Sequence, residues 1–186
     1  MTRIYEAQDH LLIHAGYGDP AEHRHRAAQM VFSFSGLMRV RLKNEIQICR
    51  GILIPSGVTH AINTGDQPAL ILLYDCSTGV AKQMQFLKCV PEKICDRIIR
   101  SYCAFAQDET PEKYAAFEQT LMEQLGLMKS TGGVTDERIA SAMQYVRDMI
   151  SERPTCQETA DHVFLSQGRF SHLFREQTGM TFASYV

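Results

Sequence analysis

The sequence predicts an α+β protein: an N-terminal β-barrel, two helices after it, and a small all-α unit at the C-terminal end. Three observations predict this. Short apolar segments separated by turn residues fill positions 10–75, and the apolar period changes from two to about 3.6 after residue 78. A Ser-Thr-Gly-Gly stretch at 130–133 then divides one helical region from another. A chain of 186 residues can bury a core as one domain or as two small ones.

The β segments come first. Apolar runs stand at 10–14, 29–34, 37–42, 46–48, 51–54 and 70–74, and Gly16, Gly18, Pro20, Gly36, Asn44, Gly51, Pro55, Gly57, Gly65 and Pro68 punctuate them. Many short strands at near-even spacing make a sandwich or barrel, not a βαβ sheet.

Helices follow. Ile94, Ile98, Ile99, Tyr102 and Phe105 form one stripe, and Tyr114, Phe117, Leu121, Met122, Leu125 and Met128 a second, longer one. Pro91 and Pro111 stand where a first-turn proline is tolerated. Beyond a linker at 130–135, Ile139, Ala142, Met143, Val146, Met149 and Ile150 mark another amphipathic helix, stopped by Pro154. Two shorter helices are expected at about 156–162 and 167–177, with Ser166 capping the second. The expected domains are therefore 1–129, a linker at 130–135, and 136–186.

Composition narrows the function. Hydrophobic residues make up 45% and charged ones 22%, and the formal net charge is −2, so any nucleic-acid contact must come from a local patch. Residues 1–6 lack the layout of a signal peptide, and the longest apolar run, 69–74, suits a buried strand and not a membrane span. The six cysteines contain no C-x-x-C pair, as expected of reduced thiols in a cytoplasmic protein. Buried, inert thiols are expected over thiol sensing through Cys76, Cys89 or Cys95.

Within the β region Gly18 is followed by His23-Arg24-His25, Gln29 and Gly36; later come Gly51, Pro55-Ser56-Gly57, His60 and Asn63. Residues two apart in a strand share a face, so His23 and His25 project together, and a second strand can bring His60 beside them. This pattern resembles the two motifs of the cupin superfamily, with Gln29 where the family has Glu and Asn63 one residue early. The resemblance implies a barrel with a polar pocket at His23, His25, Gln29 and His60. Two readings stay open: a Zn, Ni, Fe or Mn site, or a metal-free pocket. The neutral amide of Gln29, a poorer ligand than a carboxylate, tips the balance toward the second. Met30, Phe32, Phe34, Met38 and Tyr74 are candidate walls of an effector cavity, though each is equally a core residue by pattern.

The stretch from Thr155 to Ser166 leads into Gln167-Gly168-Arg169-Phe170-Ser171-His172-Leu173-Phe174-Arg175, then Thr178-Gly179-Met180 and Thr181-Phe182-Ala183-Ser184-Tyr185. This resembles the first helix-turn-helix of AraC-type transcription regulators. The resemblance implies that Ala160 lets two helices approach and that Gly179 ends the recognition helix. It also implies that Gln167, Gly168, Ser171, His172 and Arg175 face DNA, with Arg169 on a phosphate. Phe164 stands where the family's turn has Gly, which costs about 1–2 kcal/mol if the backbone is left-handed there. Five arginines against seven acids give residues 136–186 a local charge of −2. The family continues into a second helix-turn-helix, which this chain, ending at Val186, is expected to lack.

Together these readings predict a DNA-binding regulator whose barrel senses a small-molecule effector or metal ion. It is expected to dimerise through the helices at about 91–129, to have no membrane association, and not to be an enzyme. The alternative is a metal-dependent cupin dioxygenase or isomerase using His23, His25 and His60. A third reading is a sensor module that has lost DNA binding. The enzyme is disfavoured because no Glu stands in the histidine motif and a helix-turn-helix on a metabolic enzyme would be unexplained.

Overall fold

The computed structural model describes residues 2–7, 9–18, 21–43, 45–128, 134, 136–179 and 181–186. The expected linker at 130–135 therefore lies outside the described residues except for Val134, as do Pro20, Asn44 and Met180. The chain divides into two compact units, Met1–Cys76 with Val80–Lys129, and Ser77–Gly79 with Ser130–Val186.

In the first unit the strands are β1 (Arg3–Glu6), β2 (His10–Gly18), β3 (Ala28–Ser33), β4 (Met38–Leu42), β5 (Glu45–Cys49), β6 (Gly51–Ile54), β7 (Ala61–Tyr74) and β8 (Lys88–Val90). They pair antiparallel in the order β1-β2-β7-β3-β6-β8, and β4 joins β5 to β7. β7 serves two sets of partners: Ala61–Asn63 pair with β4, while residues 69–74 pair with β2 and β3. The change of partner falls at Gly65, whose φ of 62° suits glycine, and opposite a register shift at Gly16–Gly18. Bending this shared strand rolls the eight-stranded sheet into a barrel.

Alternation then sorts the apolar residues. Val31, Met38, Val40, Ile52, Ile54, Ile62 and Ile71 come from β3, β4, β6 and β7 and form one buried cluster, the barrel interior. Ala28, Met30, Phe32, Leu70, Leu72 and Tyr74 project from the other face of β3 and β7. They pack there beneath α1 (Gly79–Gln83), α2 (Glu92–Ala106) and α3 (Pro111–Leu125), against Ile98, Tyr102, Phe117 and Leu121. α2 comes so close to β6 that a Cβ on Gly51 would stand 2.6 Å from the Cys95 sulfur and 2.8 Å from the Phe32 ring. Only glycine fits. Pro111 opens α3 behind the Thr110 cap, as expected, whereas Pro91 is itself the residue before α2.

The second unit contains α4 (Glu137–Asp148), a 3₁₀ turn at Ile150–Glu152, α5 (Cys156–His162), α6 (Gln167–Thr178) and α7 (Phe182–Tyr185). Ile139, Ala142, Val146, Ala160, Phe170, Phe174 and Phe182 make its core. Local chemistry sets each boundary. The Thr155 hydroxyl accepts from the Glu158 amide while the Glu158 carboxylate accepts from the Thr155 amide, closing a capping box on α5. Ser166 caps α6, and Gly179 ends it at φ 79°. The turn between them carries Phe164 at φ 56°. Among the described residues no helix is long and apolar enough to cross a membrane.

Candidate functional site

The segment carrying His23 and His25 runs antiparallel to the one carrying His60. His23 and His60 exchange backbone hydrogen bonds of 3.0 Å in both directions, and the Gly57 amide donates to the His25 carbonyl at 3.0 Å. Along the first segment His23, His25 and Ala27 are half-buried while Arg24 and Arg26 are exposed, the period of a strand. His60 is 1% exposed. The three rings stand 4.6–5.4 Å apart centre to centre, and one ligand nitrogen from each lies within 4.8 Å of the others.

Each ring is held the same way. Nδ1 of His23 faces the Ala21 carbonyl at 3.4 Å, Nδ1 of His25 the Ala27 carbonyl at 3.0 Å, and Nδ1 of His60 the Val58 carbonyl at 2.9 Å. A carbonyl only accepts, so each of these Nδ1 atoms carries a proton. Such an outer contact orients a metal-binding imidazole and fixes its tautomer. Gln29, 2% exposed, places its side-chain oxygen 3.1 Å from Nε2 of His25. Two ligands bound 2.0–2.1 Å from one ion stand about 3.0–3.4 Å apart. The donor set thus fits a divalent transition metal: three imidazoles with an amide oxygen beside them. The backbone carbonyls of Ala21, Ala27 and Val58 carry no sequence signal beyond their place two residues from each histidine.

The expected pocket walls separate. Met38 lies in the barrel interior, on the side of β3 that Gln29 and Val31 face. Met30, Phe32 and Tyr74 do not; they occupy the opposite strand face and pack beneath the helices, and Phe34 packs against that same cluster. Tyr74 stacks on His10 at 4.4 Å and Phe34 on His14 at 4.5 Å. The reason is parity: Gln29 is odd-numbered in β3, so its even-numbered neighbours point away. Among the thiols, burial pushes Cys49 up to about 12 and Cys95 to about 11 and also raises Cys76, so these three stay protonated at neutral pH.

In the second unit Gln167, Gly168, Arg169, Ser171, His172 and Arg175 are all exposed, while Phe170, Leu173 and Phe174 of the same helix are buried. Positions 167, 168, 171, 172 and 175 share one side of α6, and His172 reaches Glu176 at 3.8 Å.

The fold belongs to the mixed α+β class, with a cupin-like barrel followed by a helical unit. Over 94% of its length it is similar to the AraC-like transcriptional activator CuxR, with a TM-score of 0.51 at 10% identity, covering 73% of that chain. About 40% of the chain is similar to a cupin-2 domain protein from Shewanella frigidimarina (15% identity, TM-score 0.35, 79% of that chain). KdgF from Halomonas sp. is similar over 39% (17% identity, TM-score 0.34, 77% of that chain). At these identities the likeness is one of fold. No family model and no curated protein matches the sequence. The expectation that the chain is not an enzyme is corrected here. Its three histidines converge with ligand nitrogens within 4.8 Å of one another, a donor set that metal-dependent catalysis can use. Catalysis stays open to this barrel.

Proposed function

We propose that the chain is a DNA-binding transcription regulator of the AraC type, in which a cupin barrel with a metal centre senses an effector and the helical unit reads promoter DNA. The observation that carries this reading is the exposed polar face of α6, set on a buried Phe170–Leu173–Phe174 face and capped at both ends. A helix so held can enter the major groove and offer Gln167, Gly168, Ser171, His172 and Arg175 to base edges, with Arg169 toward the backbone. Residues 1–129 then form the effector and dimerisation domain, 130–135 the linker, and 136–186 the first helix-turn-helix. The likeness to CuxR across both units supports the joining of the two halves. Met128, 75% exposed beyond α3, offers apolar surface for a homodimer through the 91–129 helices. Such a regulator works in the cytoplasm.

In the barrel His23, His25 and His60 would hold the ion through Nε2, with Gln29 beside it. Bound there, a divalent transition metal supplies a positively charged coordination position open to an effector. The test is selection from a random-sequence duplex pool, followed by titration of the enriched DNA. Arg175→Ala and His172→Ala should each weaken specific binding at least tenfold, while Arg169→Ala should weaken all sequences alike. Failure to enrich any sequence would count against the reading. The convergent histidines favour a second one, a metal-dependent cupin enzyme, which oxygen uptake or isomer formation by the metal-loaded protein would reveal.

A further inference from the structure

The side chains that converge on the histidine site are of types that bring no negative charge to a bound ion. Nδ1 of each imidazole faces a backbone carbonyl. Gln29 contributes an amide, and among the described residues no Asp, Glu or Cys joins the cluster. Arg24 and Arg26, which alternate with the histidines, are exposed on the other side of their segment and do not supply counter-charge from within. On the inward face of β3 the residue after Gln29 is Val31, part of the apolar interior. A divalent ion held by neutral donors next to an apolar interior keeps its full charge where charge is poorly screened.

We propose that Gln29 makes this site a receptor for a small carboxylate, bound through its anionic oxygen to the metal. The inference rests on the metal reading above and names the chemistry of the effector. A carboxylate brings one negative charge and leaves an apolar body to face the interior. Phosphate brings about two charges and further oxygens that need donors of their own.

The full chain loaded with Co(II) tests this, because the visible spectrum of the ion reports each change in its ligands. Acetate, its neutral isostere acetamide, and inorganic phosphate are titrated in turn. Acetate is expected to change the spectrum at millimolar concentration, acetamide to leave it unchanged, and phosphate to bind more weakly than acetate. Gln29→Glu places a carboxylate inside the site and should lower acetate affinity at least tenfold while tightening Co(II). If Co(II) does not bind wild type, the metal reading fails and this inference falls with it. If Co(II) binds but acetate and acetamide act alike, or phosphate binds more tightly, the inference alone is overturned. Equal acetate binding by wild type and Gln29→Glu also overturns it.

Discussion

Replacing Phe164 by glycine should stabilise the helical unit. The residue stands in the turn between α5 and α6 at φ 56°, and its side chain is 95% exposed. Its amide donates to the Asp161 carbonyl at 3.1 Å and the next amide to Ala160 at 2.9 Å, so the hydrogen bonds of the turn hold this backbone in place. An L-residue in the left-handed region costs about 1–2 kcal/mol. With so little of the ring buried, packing returns almost nothing. Glycine removes the strain but loses about 0.5–1 kcal/mol more backbone entropy on folding. The net expectation is a gain of about 0.5–1 kcal/mol. Native-state hydrogen exchange reads it directly: amides of α5 and α6 should gain protection by that amount while those of the barrel do not change. Phe164→Ala keeps a Cβ and so keeps the strain, and its protection should stay within about 0.3 kcal/mol of wild type. If alanine stabilises as much as glycine, the benefit comes from removing an exposed ring, and the backbone argument is refuted.

Other consequences are equally direct. Gly51→Ala should destabilise the first unit by about 1–3 kcal/mol in thermal unfolding, because its Cβ would collide with Cys95 and Phe32, and Cys95→Ala should restore part of the loss. Thr155→Ala removes the hydroxyl half of the capping box, leaving the backbone amide on Glu158, and should cost α5 about 1 kcal/mol by urea denaturation. His60→Ala should weaken Co(II) binding at least a hundredfold by calorimetry, since it deletes the most buried of the three converging imidazoles. Hydrogen bonds from Arg138 hold the Asp136 carboxyl down to about 2, below its unfolded value near 3.9. Its contribution to the α4 cap is therefore present above pH 4 and lost as pH falls toward 2, and carboxyl NMR of Arg138→Ala should show that pKa move up.

Much of this protein is written locally. The caps at Thr155 and Ser166, the left-handed Gly179 and the spacing of Phe170, Leu173 and Phe174 act within a few residues, so α5 and α6 appear where the sequence puts them. The change from strand to helix after residue 78 is legible for the same reason, as is the pairing of His23 with His25 on one face. Short or weakly apolar strands were not: β1 turns straight into β2 and is held by Tyr5 against Phe105, β8 pairs with the distant β6, and no local pattern marks either. β7 runs through Gly65 and Pro68, which read as breaks, because here a bend lets one strand serve two sets of partners.

The sequence alone foretold that His23, His25 and His60 would stand together, that Gln29 would stand with them, and which face of α6 would be polar. Only the tertiary structure decided where the aromatic residues go. In β3 and β7 both faces are buried, one by the barrel interior and one by α1–α3, so hydrophobicity no longer tells inside from outside. Strand pairing breaks that tie by setting which parity faces the histidines, and it sends Met30, Phe32 and Tyr74 to the helices and Val31 and Ile71 inward. Each ring leans on a carbonyl only two residues away, that of Ala21, Ala27 or Val58, so this contact is local. The convergence of the three rings is not: it exists only once the segment of His23 and His25 has met that of His60.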